Sequence, residues 1–217
     1  GHWTMSGRSS DEPMLLGSYG KGDRPLLNTD AGEGFATYSG HTIDNIVING
    51  IHFAANNYDG VHGSNLTTGI HLLRQGSGYL FQDLEVDGYK DNIVLQGDGT
   101  GVSSVILRRS VITNAFNVGK VGNGHSQGLY AAGTTSHLMI EQNIFDHNGW
   151  REGVAAPTIF NHDIYVNTGA TSVTVRDNII ARASLNGVLL RSGGTIVNNL
   201  FFRDPVAAAV GNTSSTI

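Results

Sequence analysis

Two kinds of short apolar segment alternate along this chain. The first kind comprises "NIVINGIHF" (45–53), "YLFQDLEV" (79–86), "SVILRRSVI" (104–112), "LMIEQNIF" (138–145), "VTVRDNII" (173–180) and "TIVNNLFF" (195–202). Their centres, Gly50, Asp83, Ser110, Asn143, Asn178 and Asn199, align as one column of turn-formers, each followed by an aliphatic residue. The second kind lies between them: "GIHLL" (69–73), "NIVLQ" (92–96), "GLYAA" (128–132), "DIYVN" (163–167) and "GVLLR" (187–191). Each has two apolar residues of one parity, as in Ile70/Leu72 and Ile164/Val166, so one face of a strand can enter a core while the other stays outside. Strands that recur in the same order on every coil stack as parallel sheets into a solenoid. The expectation is an all-β, right-handed, single-stranded parallel β-helix over residues 1–217. No amphipathic segment of helical length competes with it. In the Asn143, Asn178 and Asn199 column we expect scaffold, because Asn tolerates left-handed turns and can bond to backbone and to its copies above and below.

Composition narrows the partners. With 30 Gly and only 4 Pro in 217 residues, turns are frequent without the chain being a linker. A net charge of −5 and 13 Lys+Arg with no basic run argue against a nucleic-acid partner, whose phosphates demand a positive footprint. There are no cysteines, hence no thiolate metal site. No apolar run of membrane-spanning length occurs, so no membrane partner is expected. Solenoid ends expose strand edges, and neither "GHWTMSGRSSDEP" nor "PVAAAVGNTSSTI" reads as a cap. We therefore expect ends covered by another chain or by missing sequence.

The outward positions of the second strand column form three ladders on the alternating pattern. The first is Gly69, Asn92, Gly128, Asp163 and Gly187; the second His71, Val94, Tyr130, Tyr165 and Leu189; the third Leu73, Gln96, Ala132, Asn167 and Arg191. Tyr130 should stack on Tyr165, Asn167 should lie beside Arg191, and Asp163, between two glycines, should have open space on both sides. His162 takes the inward parity, as a turn or core-edge residue, and His71 reads as peripheral. Between Ile70, Ile93, Leu129, Ile164 and Val188 the coils run 23, 36, 35 and 24 residues. The extra length falls in 114–126 and 146–161, and loops of this size are more often functional than idle. They should wall a groove over the tyrosines and bring in Lys120, His125, His147, Trp150, Arg151 and Glu152.

The coil pattern, including "IEQNIFDHNGW" and "VRDNII", resembles the parallel β-helix proteins of the pectate-lyase-like superfamily over residues 14 to 205. That resemblance implies a polysaccharide partner lying in a groove along one parallel sheet, and a secreted or periplasmic protein. It spans lyases, epimerases, hydrolases and non-catalytic modules, so activity has to come from residues. The Asp-Pro-His-Asp element of the alginate epimerases and the paired-aspartate signature of the polygalacturonases are absent. If the groove holds a uronic-acid polymer, eliminative cleavage needs cations or amides for the uronate carboxylate, a base and an acid. The catalytic candidates are Tyr165, Tyr130, His125, His162 and Arg191, with Tyr165 the most sensitive. Asp163, Asn167, Trp150, Arg151 and Lys120 are the substrate-binding candidates. A tyrosine would need its pKa brought down by positive charge, for which Arg191 is the candidate source. A hydrolase would need two carboxylates across the bond, and Asp163 finds a partner only in Glu152. No cofactor is expected; His125 and His147 do not sit at zinc spacing, and calcium at Asp163 and Asp146 ranks a little ahead of a transition metal. The rival reading is a non-catalytic glycan-binding or structural adhesion module, in which the aromatic residues only stack.

Overall fold

The computed structural model describes residues 2–38, 40, 42–62, 67–119 and 124–211. Every named element is a strand, 22 in all among the described residues, arranged in three parallel sheets of eight, seven and seven strands. Each coil contributes one strand to each sheet in turn, which is the right-handed parallel β-helix that the alternation predicts. Among the described residues no helix is long and apolar enough to cross a membrane.

The eight-stranded sheet, called here the groove sheet, runs His2–Trp3, Phe35–Thr37, Thr68–Leu72, Asp91–Leu95, Gln127–Ala131, His162–Val166, Asn186–Leu190 and Val206–Val210. Its register pairs Ile70 with Ile93, Ile93 with Leu129, Leu129 with Ile164 and Ile164 with Val188. These five side chains are at most 1% exposed and form one wall of a continuous apolar core. The second sheet supplies Val105, Leu138 and Val173, and the third Val86, Ile112, Phe145 and Ile180. The last coil leaves Leu200, Phe202 and Val210 exposed.

The corner between the second and third sheets is the asparagine column. Asn178 Oδ1 accepts from the Asn143 backbone N–H at 2.9 Å and from Asn143 Nδ2 at 3.0 Å, and Asn199 Oδ1 does the same for Asn178 at 2.9 Å. Each Nδ2 also donates to a backbone carbonyl of the preceding strand, as Asn143 does to Leu107 O. The left-handed residue is the one before each asparagine: Gln142, Asp177 and Asn198 have φ between 53° and 59°. The column is scaffold, but its asparagines bond while their predecessors turn.

A second polar column fills the corner between the third sheet and the groove sheet, where the period of two is interrupted. Backbone pairing joins Asp91 to Thr68, Gln127 to His162 and His162 to Asn186, resumes at the Ile70 row, and passes over Asn92, Gly128 and Asp163. The side chains at that skipped position turn into the corner. Asn92 Nδ2 donates to Thr113 O at 2.8 Å and to Asn148 Oδ1 at 3.0 Å, and Asn148 Nδ2 donates to Asp163 Oδ1 at 2.8 Å. Asp163 is therefore 0% exposed and unavailable to a substrate, against the sequence expectation. The space its neighbouring glycines leave is filled from within: a Cβ on Gly128 would lie 2.9 Å from Asn148 Nδ2, and one on Gly187 would lie 3.0 Å from Asp204 Oδ2.

This corner holds two carboxyls whose buried Oδ2 atoms have no partner, the fully buried Asp163 and the half-buried Asp204. Burial pushes the Asp163 carboxyl well up, against the Asn148 amide and with help from Asp204; burial raises Asp204 to about 6. A raised folded-state pKa means stability that is complete below the ordinary carboxyl range and declines as pH rises through the folded value. For Asp204 that window runs from about pH 4 to about pH 6. The expected loss is about 1–2 kcal/mol after screening for its partial exposure. Urea unfolding of wild type and Asp204→Asn at pH 5 and pH 7.5 checks this: the variant should lose less stability between the two, and parallel losses would exclude it.

Candidate functional site

The interruption also turns the preceding residues outward. Asp91, Gln127 and His162, of inward parity by simple alternation, instead border the outer face of the groove sheet. A groove of about 670 Å³ lies there, lined by His71, Lys90, Asp91, Val94, Gln96, His125, Gln127, Tyr130, Tyr165 and Asn167. It continues past Tyr165 and His125 into a depression of about 220 Å³, which adds Phe160, His162, Asn186, Leu189 and Arg191. The floor is the predicted second ladder in register: His71, Val94, Tyr130, Tyr165 and Leu189.

At the centre, the Tyr130 and Tyr165 rings lie 5.4 Å apart, tilted by 58°. Asn167 joins their hydroxyls with a defined direction. Its Oδ1 accepts from the Thr168 N–H at 2.8 Å, which fixes the amide's orientation, and from Tyr165 Oη at 3.5 Å. Its Nδ2 donates to Tyr130 Oη at 3.3 Å. Tyr165 thus gives its proton to Asn167, while Tyr130 receives a hydrogen bond and keeps its own proton for the groove. Burial raises the Tyr165 pKa; the opposing charge of Arg191, whose guanidinium lies 5.5 Å from the ring centre, does not overcome it. The expected lowering does not occur, so Tyr165 is a neutral phenol at working pH.

His162 packs edge-on against Tyr165 at 5.4 Å. Its Nδ1 accepts from the Asn186 N–H at 3.3 Å, so the neutral ring carries its proton on Nε2. Burial, with Arg191 and His125 adding to it, lowers His162 to about 4. Its free lone pair is thus committed to the Asn186 N–H. His125 stacks on Phe160 at 5.4 Å, and burial lowers its pKa, Lys90 adding to this and Asp91 opposing it.

The long loops deliver less than expected. Trp150 Nε1 donates to Arg182 O at 2.8 Å and its ring meets His147 at 4.2 Å, so it packs at the third-sheet corner rather than in the groove. Arg151 lies over the Phe116 ring at 4.7 Å, and neither Arg151 nor Glu152 lines the groove. Lys120 lies outside the described residues. Asp146 is held by Arg182 at 2.7 Å and Asp163 by Asn148, so the pair considered for calcium does not assemble. Among the described residues no group of three or more His, Asp or Glu side chains is gathered to hold a metal.

Three features were missed in the sequence. Lys90 and Asp91 form a buried ion pair at 2.6 Å on the groove wall. His71, read as peripheral, borders the groove, and Glu33, in a stretch with no repeat signature, holds its Nδ1 at 2.7 Å. Comparison with family models, curated proteins and solved structures gives no match for this chain. The parallel β-helix stands on strand pairing alone.

Proposed function

We propose that the groove binds a uronic-acid-containing polysaccharide and cleaves it by β-elimination, in the manner of the lyases of the pectate-lyase-like superfamily. The observation that carries this is the directed chain Tyr165 to Asn167 to Tyr130, which leaves a phenol proton facing a groove with a lysine, an arginine and three histidines on its walls. In β-elimination a base takes the proton beside the carboxylate, its electron pair forms a carbon–carbon double bond, and the bond to the neighbouring sugar oxygen breaks. An acid protonates that oxygen. Tyr130 suits the acid role, and Lys90 and Arg191 suit uronate carboxylates along the chain. Such a polymer lies outside the cytoplasm, which fits a secreted or periplasmic protein.

A second reading, a non-catalytic glycan-binding module, is favoured by the tilted tyrosine pair, which offers ring faces for sugars whether or not a base is present. One experiment separates the two. The chain is incubated with alginate, pectate and glycosaminoglycans while ultraviolet absorbance of the unsaturated product is followed. A steady rise on one polymer supports elimination. Binding to a glycan array without any rise supports the module, and new reducing ends without absorbance would point to hydrolysis.

A further inference from the structure

We infer that His71, held by Glu33, is the base of this groove, and that the sugar being cleaved lies over Val94 between His71 and Tyr130. This rests on the eliminative reading above and locates its reacting centre.

In register, His71, Val94 and Tyr130 occupy successive rungs of one ladder. His71 and Tyr130 therefore stand two strand spacings apart, roughly 10 Å between backbones. Val94 is the short side chain between them, so the floor dips where a sugar ring with hydrogen-bonding groups at both ends would fit. Lys90 and Gln127 border the same stretch of groove.

A base needs a lone pair facing the substrate. Glu33 Oε1 accepts at 2.7 Å from His71 Nδ1, which places the remaining lone pair on Nε2. The same oxygen accepts from Tyr38 Oη at 2.9 Å, and His2 Nε2 is 3.4 Å from the other. Burial, reinforced by Glu33, pushes the Tyr38 pKa up, so Tyr38 stays a donor and Glu33 an acceptor. The carboxylate and imidazole side chains are each only 6% exposed, so the pair is fixed before substrate arrives. A carboxylate on the far nitrogen both orients an imidazole and stabilises the imidazolium that forms when it takes a proton. His162, at the other end, shows the opposite arrangement, with a backbone N–H on Nδ1 and the proton on Nε2. That end is fitted for recognition.

The step balances as follows. His71 Nε2 takes the proton from the carbon beside the carboxylate, and that electron pair becomes the double bond. The bond to the departing sugar oxygen breaks, and Tyr130 Oη gives its proton to that oxygen. The imidazolium and phenolate then return to their starting forms by exchange with water. Lys90, which borders this stretch of groove and whose ammonium is hydrogen-bonded to Asp91 at 2.6 Å, is the cation assigned to the substrate carboxylate here.

The test uses whichever uronan the wild-type chain turns over. In His71→Gln the amide can still donate to Glu33 but cannot take a proton, so kcat should fall about 10²–10⁴-fold with KM within about threefold and Tm unchanged. His71→Ala should regain turnover when imidazole is added, which a structural role would not produce. Glu33→Gln should lower kcat at least about tenfold without raising KM, as expected of a positioning residue. Should His71 variants fail to fold, Val94→Tyr supplies the check: it fills the dip with a ring that the neighbouring rungs already accommodate, and turnover should be lost. Full turnover in folded His71→Gln, or in Val94→Tyr, overturns the assignment and leaves the lyase reading standing. A wild-type chain that gives unsaturated product from no uronan ends both.

Discussion

Tyr130→Phe is expected to lower kcat on a uronan substrate by about 10²–10⁴-fold with little change in KM or Tm. The substitution removes one oxygen, keeps the ring that packs 5.4 Å from Tyr165, and disturbs no core contact. What is lost is the phenol proton that the Asn167 relay leaves uncommitted. Tyr165→Phe should cost much less, because that hydroxyl serves Asn167 and burial holds its proton. Tyr165→Ala and Arg191→Ala should act on the other kinetic parameter, raising KM as the ring face and the cation of the binding end are removed. Steady-state kinetics on the four variants checks the split. Equal losses of kcat in Tyr130→Phe and Tyr165→Phe would move the acid to Tyr165, and unimpaired turnover in both would remove the tyrosines from the chemistry.

What the sequence disclosed of this site depended on how local the determining interaction was. The register of the ladder was legible because apolar residues recur at positions that only one stacking satisfies, and Ile70 to Val188 stack as that pattern requires. Stacking of Tyr130 on Tyr165 followed from the register. Asp163 was misplaced because alternation treats a strand as uniform, whereas pairing passes over its position and a long-range amide, Asn148, draws it inward. The same interruption turned His162 outward. Glu33 could not be found by periodicity, since its partner His71 is 38 residues away and nothing around Glu33 repeats. The signal that existed was the spelling "DHNGW", in which Asn148 follows a left-handed His147 just as Asn143 follows Gln142.

Asn148→Ala should be among the most damaging single substitutions for stability, at about 3–5 kcal/mol. The side chain is fully buried and uses its whole hydrogen-bonding capacity. Nδ2 donates to Ile112 O at 3.0 Å and to Asp163 Oδ1 at 2.8 Å, and Oδ1 accepts from Asn92 Nδ2 at 3.0 Å and from the Ala115 N–H at 3.1 Å. Alanine would leave the Ile112 carbonyl and the Ala115 N–H without this partner in a site closed to water and would cut Asp163 Oδ1 back to the backbone N–H of residue 148 at 3.3 Å, while Asn92 keeps its bond to Thr113 O. Each orphaned buried group costs about 1–3 kcal/mol, and these share one corner, so the sum is less than additive. Most of the loss runs through Asp163, whose carboxyl then loses its 2.8 Å side-chain amide donor, keeps only the backbone N–H of residue 148 at 3.3 Å, and feels the charge of Asp204. Asp163→Ala introduced into the Asn148→Ala background should therefore cost much less than it does in wild type. Chemical denaturation of the two single variants and the double variant measures that coupling. A cycle that closes with additive losses would mean that Asn148 supports the coil through Ile112 and Ala115 alone, with the buried acid a bystander.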